Sequence, residues 1–101
     1  MKISMTIEDR LVKEAHVLGH PVRFRIVKLL AEKPQHIAGI SKAMEEERRL
    51  VHQHLDILEK YGFVSSEYEI SEAIKSEGKV IRIYQATDKV EAVLCELMEK
   101  L

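Results

Sequence analysis

The segment EERRLVHQHLDILEKY, residues 46–61, predicts one amphipathic helix with two unlike faces. When successive residues are placed about 100° apart around a helix axis, the apolar side chains gather on one side and the polar side chains on the other. The apolar face must be buried against the rest of the chain, whereas the polar face offers guanidinium, imidazole and amide donors to a partner. The apolar face comprises Leu50, Val51, His54, Leu55, Leu58 and Tyr61, and the polar face comprises Arg48, Arg49, His52, Gln53 and Asp56.

The polar face of this helix has two interpretations. Its donors suit phosphate oxygens and the edges of base pairs, as a recognition helix requires. A polar stripe is also common on helices that only face solvent. His54 falls on the apolar face, so we expect it to be a hydrogen-bonded core histidine. The segments on either side of the helix decide between the two interpretations.

Three helices are predicted upstream of this segment. The first covers residues 7–18, and the second begins at Pro21, whose missing N–H does no harm in the first helical position. The third is short and covers residues 36–44. A short helix, a tight turn and a longer two-faced helix make up a helix-turn-helix unit, here residues 36–61. In the second helix we expect Val22, Ile26, Leu29 and Leu30 to be buried and Arg23, Arg25 and Lys28 to project elsewhere.

A β-hairpin and a final helix are predicted downstream. Gly62 is suited to end the two-faced helix, and residues 64–70 and 80–84 are strand-like segments that pair as a hairpin. Thr87 or Asp88 then caps a last helix over residues 88–101. The order is therefore α-α-α-α-β-β-α, a mainly α, α+β fold of the winged helix-turn-helix type. Residues 1–101 form one domain, with residues 64–85 as the wing.

Two motifs resemble ArsR-like transcriptional regulators. The segment LGHPVRFRIVKLLAEKP, residues 18–34, fits that family's Leu-x-x-Pro-x-Arg-x-x-Ile-x-x-x-Leu pattern. The segment VHQHLDILEKYGFV, residues 51–64, fits its Val-x-x-His-Leu-x-x-Leu-x-x-x-Gly signature, which MarR-like regulators share. The similarity extends over residues 7–101.

The resemblance implies a homodimer that binds double-stranded DNA and represses transcription. In such a dimer the first and last helices form the interface, and two recognition helices enter successive major grooves of a pseudo-palindromic operator. An apolar stripe at each end of a small chain agrees with a symmetric contact of this kind. The residues assigned to the interface are Ile7, Leu11, Val90, Leu94, Leu97 and Leu101, and those assigned to DNA are Ser41, Lys42, Arg48, Arg49, His52, Gln53, Lys75, Lys79 and Arg82.

Composition narrows the class of protein. The 101 residues carry a formal net charge of -1, so any basic surface for DNA must be local. No apolar run is long enough to cross a bilayer and no signal peptide is visible, so we expect a cytoplasmic protein. The single cysteine, Cys95, excludes an internal disulfide, and we expect it to be a small buried hydrophobic residue.

Departures from the family pattern leave a second function open. The acidic residues Glu45, Glu46 and Glu47 stand where the family has a small turn residue and a capping Ser or Thr. They are expected to cap the helix and to pair with Arg48 or Arg49, but they would also repel phosphates. A winged helix that has lost DNA binding and now contacts protein is therefore the alternative.

Metal, cofactor and catalytic sites are not expected. The family's metal-binding cysteines and histidines are missing, and His52 and His54 point to different faces of their helix. Gly19, Gly39, Gly62 and Gly78 stand alone, so no glycine-rich phosphate loop is present. The inducing signal, whether a small molecule or a protein, is left open by the sequence.

Overall fold

The order of helices and strands confirms the winged helix-turn-helix fold. The computed structural model describes residues 7–70 and 80–100, and the side chains of residues 7 and 8 lie outside this description. One strand, β1, is additional to the prediction. The elements are α1 (Ile7–Gly19), α2 (Pro21–Glu32), β1 (Gln35–His36), α3 (Ile37–Met44), α4 (Arg48–Lys60), β2 (Val64–Glu69), β3 (Ile81–Ala86) and α5 (Asp88–Lys100).

The sheet has three antiparallel strands in the order β1-β3-β2. In the predicted hairpin, Val64 pairs with Ala86 and Glu69 pairs with Ile81. The two residues of β1 add to the other side of β3, where Gln35 pairs with Tyr84. A two-residue strand is too short to show alternation in sequence, which is why it was not predicted.

The helix ends follow local rules that the sequence displays. His20 is the N-cap of α2, and its Nδ1 accepts a hydrogen bond from the Val22 N–H at 3.2 Å. Gly62 has φ of 80° and closes α4. Its N–H donates to the Glu59 carbonyl at 3.0 Å, and the Phe63 N–H donates to the Leu58 carbonyl at 2.9 Å. This Schellman pair satisfies carbonyls that the helix would otherwise leave open.

The core is formed by buried side chains from all five helices and from the sheet. Phe63 is fully buried at the start of the hairpin. Of the predicted apolar face of α4, four residues are buried and two, Leu50 and Tyr61, are half-buried. Full burial of one such Leu, Ile or Phe side chain stabilises the fold by roughly 1.5–3 kcal/mol. The largest fully buried side chains are Phe63, Ile26, Ile40, Leu55, Leu58, Val51, Val64 and Val93.

Two predictions about single residues were wrong. Arg23, expected to project away from the core, is buried with 7% of its surface exposed. Cys95, expected to be buried, is exposed, because the inward face of α5 is formed by Val90, Val93 and Leu97. No helix in the described part of the chain is long and apolar enough to cross a membrane.

Candidate nucleic-acid interface

The turn between α3 and α4 is closed by hydrogen bonds that connect the two helices. Glu45 ends α3 in the left-handed conformation, with φ of 55°. Its N–H donates to the Lys42 carbonyl at 3.3 Å, and the Glu46 N–H donates to the Ser41 carbonyl at 3.1 Å. The Ser41 hydroxyl in turn donates to the Glu46 carbonyl. Ser41 is therefore engaged within the turn, whereas the neighbouring Lys42 side chain is exposed.

The polar face of α4 is an exposed row of five side chains. The opposite face of the helix packs against the core through four buried residues, Val51, His54, Leu55 and Leu58. The polar residues consequently project to the opposite side, as the sequence predicts. The row comprises Arg48, Arg49, His52, Gln53 and Asp56, all of them exposed.

This row has the chemistry to read a duplex. A guanidinium group can donate two hydrogen bonds to guanine, and a glutamine amide can pair with adenine. His52 and Asp56 form a pair within the row, since Nδ1 of the imidazole lies 3.3 Å from a carboxylate oxygen. Because both side chains remain about half exposed, the pair can be reorganised by a ligand at small cost.

The three glutamates before α4 do not act as expected. Glu47 occupies the N-cap position, but its side chain makes no capping hydrogen bond. Among residues 7–70 and 80–100, no ion pair joins Glu45, Glu46 or Glu47 to Arg48 or Arg49. The expected pairing is thus not present, and both guanidinium groups are left exposed beside the acidic turn.

The wing arginine has partners inside the protein. Arg82 Nη2 donates to Glu59 at 2.6 Å, and Arg82 Nε donates to the Ser66 hydroxyl at 2.9 Å. Its guanidinium carbon lies 4.9 Å from the centre of the Tyr84 ring. The sequence assigned Arg82 to DNA and gave no sign of Glu59 or Ser66 as partners. The other two wing positions, Lys75 and Lys79, lie outside the described residues.

A cluster of one arginine and two histidines packs against the inward face of α4. Arg23 Nε donates to the Val17 carbonyl at 2.7 Å, and Arg23 Nη1 lies 3.4 Å from His54 Nδ1. Since a guanidinium group has only donors, Nδ1 must accept, and the proton of neutral His54 is on Nε2. The His20 ring centre is 4.6 Å from that of His54. Arg23, which sequence reasoning placed elsewhere, thus locks α1, α2 and α4 together.

The charge of this cluster is reflected in its pKa values. Burial, followed by the electrostatic influence of His20 and Arg23, lowers the pKa of His54 below its ordinary value of 6.5. Burial also lowers the pKa of Arg23. Among the described residues, no group of three or more His, Cys, Asp or Glu side chains is placed to hold a metal ion.

The helices assigned to the dimer interface contact each other within the chain. Leu11 is only 4% exposed and belongs to the core, so it offers little surface to a second copy. Val90 and Leu97 are half-buried, and Leu94 is 36% exposed. Among the described residues of α1 and α5, the most exposed large apolar side chains are Val12 at 69% and Met98 at 76%, neither of which was assigned to the interface. Leu101 and the side chain of Ile7 lie outside the described residues.

Known proteins resemble this chain in sequence and fold. Residues 20–66 match the family described as "Bacterial regulatory protein, arsR family". An uncharacterized HTH-type transcriptional regulator of Methanocaldococcus jannaschii is 29% identical over 91 residues, which are 90% of each chain.

Solved structures show the same fold. A crystal structure titled "Possible transcriptional regulator for arsenical resistance" is 23% identical, with a TM-score of 0.69 over 86% of this chain and 81% of that one. A transcriptional regulator homologue from Pyrococcus horikoshii OT3 is 22% identical, with a TM-score of 0.66 over 89% and 92%. Residues 20–66 are thus similar in sequence to the arsR family, and the chain has the winged-helix fold of these solved regulators.

Proposed function

We propose that this protein binds double-stranded DNA sequence-specifically through α4 and acts as a homodimeric repressor. The observation that carries the proposal is the exposed row of donors on α4, held outward by the buried face of the same helix. Within the row, Arg49 and Gln53 read base edges. Arg48, His52 and the exposed Lys42 supply contacts that position the helix on the backbone.

The wing and α3 contribute the remaining contacts of the proposal. Ser41 lies at the α3 end of the turn, and in the proposed complex its hydroxyl exchanges the Glu46 carbonyl for a phosphate oxygen of the DNA. Lys75 and Lys79, which lie outside the described residues, are proposed to contact phosphates, as the family resemblance implies. These contacts are electrostatic and carry no sequence information, so the specificity of the proposed complex comes from α4.

A second copy is proposed to pack against α1 and α5. Val12 on α1 and the pair Leu94 and Met98 on α5 present apolar surface that the single chain leaves uncovered. Leu94 and Met98 are four residues apart and therefore lie on one face of α5. A twofold contact would place two α4 helices about 34 Å apart, one turn of B-DNA, or a multiple of that spacing.

Binding-site selection tests this proposal. Purified protein is mixed with a random duplex library, and the enriched sequence is used for footprinting and for affinity measurements at two salt concentrations. A repressor should enrich a two-fold symmetric site and lose affinity by about a thousandfold or more between about 50 and 200 mM salt. In cells, deletion of its gene should raise expression from promoters that carry the site.

The acidic turn favours a second candidate function. Glu45 and Glu47 are exposed at the end of α4 that would approach phosphates, and the chain has a net charge of -1. A winged-helix module that contacts protein would explain this acidity. Such a module would enrich no sequence from the library and leave no footprint, so the same experiment separates the two functions.

A further inference from the structure

Glu59, Ser66 and Arg82 form a closed ring of hydrogen bonds between α4 and the wing, here named the wing clasp. Arg82 donates to Glu59 Oε1 at 2.6 Å and to Ser66 Oγ at 2.9 Å. The Ser66 hydroxyl donates to Glu59 Oε2 at 2.6 Å. Each group is used according to its chemistry, since the hydroxyl both accepts and donates and both carboxylate oxygens accept.

Two tyrosines hold the guanidinium group of the wing clasp in place. It lies 4.9 Å from the Tyr84 ring centre and 5.8 Å from that of Tyr68. The strand register explains the arrangement, because Tyr68 pairs with Arg82 and Ser66 pairs with Tyr84 on one face of the hairpin. The side chains of Arg82 and Glu59 are only about 30% exposed, so water screens their attraction less than at an open surface.

The wing clasp lies at the point on β2 where burial ends. Along β2, Val64 is buried, residues 65 and 66 are half-buried, and residues 67–69 are exposed. Ser66 is thus the last residue of β2 that is partly buried. On β2, the described residues that follow Ser66 have no core packing that would set their angle to α4.

We propose that the wing clasp is a positioning device that holds the wing and α4 at the angle at which both meet one duplex. This inference rests on the proposed DNA binding. Arg82 acts through Glu59 and Ser66 and does not itself contact phosphate. A preorganised pair of contact surfaces binds more tightly, because less conformational freedom is lost on association.

Two substitutions that leave the positive charge of this surface undiminished test the wing clasp. Glu59→Gln removes a negative charge, which by itself should favour DNA, yet it breaks the ring of hydrogen bonds. Arg82→Lys keeps the positive charge but cannot reach Ser66 and Glu59 together. We expect each to weaken binding to the selected operator about tenfold, and the double variant to be no weaker than either single variant. Glu67→Gln, an exposed residue on the same strand, is the matched control and should not weaken binding.

Direct contact by Arg82 predicts a different result. In that case Glu59→Gln would tighten binding by releasing the guanidinium group, and Arg82→Lys would leave the affinity nearly unchanged; either outcome overturns the inference. Urea unfolding of each variant gives the folded fraction. If affinity corrected for that fraction equals the wild-type value, the wing clasp is only structural and the inference fails. Wild-type protein that binds no DNA overturns the proposed function itself.

Discussion

Lys89 Nζ lies 2.8 Å from Glu14 Oε2, and this ion pair joins the last helix to the first. The same ammonium group donates to the Tyr61 carbonyl at 2.6 Å and lies 5.1 Å from the centre of the Phe63 ring. Lys89 therefore connects α1, α5 and the C-terminal end of α4 at one point. A cation there also interacts favourably with the dipole of α4, so Lys89 supports α4 from a point far from its exposed face.

Removal of this cation should destabilise the protein. Glu14 is buried, and in Lys89→Met it would keep Arg10 as its remaining partner. We expect the free energy of unfolding to fall by about 1–3 kcal/mol, because a buried carboxylate loses a hydrogen-bond donor. Urea unfolding measures the change. Lys13→Met, at an exposed position of α1, is the control and should stay close to wild type; equal losses in the two variants would contradict the assignment.

His54 should make the fold sensitive to mild acid. Burial and the electrostatic influence of His20 and Arg23 hold the pKa of His54 below 6.5, the ordinary value. The unfolded chain therefore binds a proton more readily than the folded one as pH falls. The free energy of unfolding should decrease from about pH 6.5 down to the folded-state pKa, by at most about 1.4 kcal/mol per pH unit for one proton. Above about pH 6.5 this contribution is constant.

Urea unfolding of wild type and of His54→Gln, in buffers from about pH 7.5 to about pH 5 at steps of about half a pH unit, measures the acid sensitivity. The variant should lose part of the slope. His52→Gln replaces an exposed histidine on the same helix and should keep it. Should His54→Gln fail to fold, an NMR titration of wild type decides the matter, since an imidazole pKa for His54 at or above 6.5 would contradict the prediction.

Replacing Glu45 in the turn of the helix-turn-helix unit should stabilise the protein. Glu45 has φ of 55°, a conformation that costs a residue with a Cβ about 1 kcal/mol and costs glycine almost nothing. We expect Glu45→Gly to raise the free energy of unfolding by about 0.5–1 kcal/mol. Glu47→Gly removes the same charge at a residue with φ of -66° and is the control. A lower unfolding midpoint for Glu45→Gly than for wild type would show that the turn is not strained.

The features that could be predicted from the sequence are those set by residues close together in one helix, or by a single proline or glycine. The two faces of α4, the start of α2 at Pro21 and the end of α4 at Gly62 are of this kind. The burial of Arg23 could not be predicted, because its partners Val17 and His54 meet it only after folding. Arg82 shows the same limit, since its carboxylate partner Glu59 comes from another element 23 residues away.

The apolar surface of α5 yields a prediction about assembly. Met98 is 76% exposed in the single chain, so Met98→Glu should not disturb the core. In a twofold dimer the change occurs twice, and loss of two buried methionine side chains should raise the dimer dissociation constant about a hundredfold. Sedimentation at several concentrations measures this constant. Val80→Glu, an exposed apolar position in the wing, is the control; a dimer equally weakened by both changes would place the interface elsewhere.

Alanine substitutions of Arg49 and Lys42 should change DNA binding in different ways. Both side chains are exposed, but Arg49 lies in the outward row of α4 and Lys42 lies in the last turn of α3. Loss of a base contact should relax the preference at one operator position by about 1–3 kcal/mol, whereas loss of a phosphate contact should weaken binding to all sequences alike and reduce the salt slope by about one. Binding-site selection and salt titration of the two variants measure these effects separately. If Arg49→Ala selects the same site with undiminished preference, Arg49 is not a base reader, and the specificity of α4 must come from Gln53 or from the shape of the DNA.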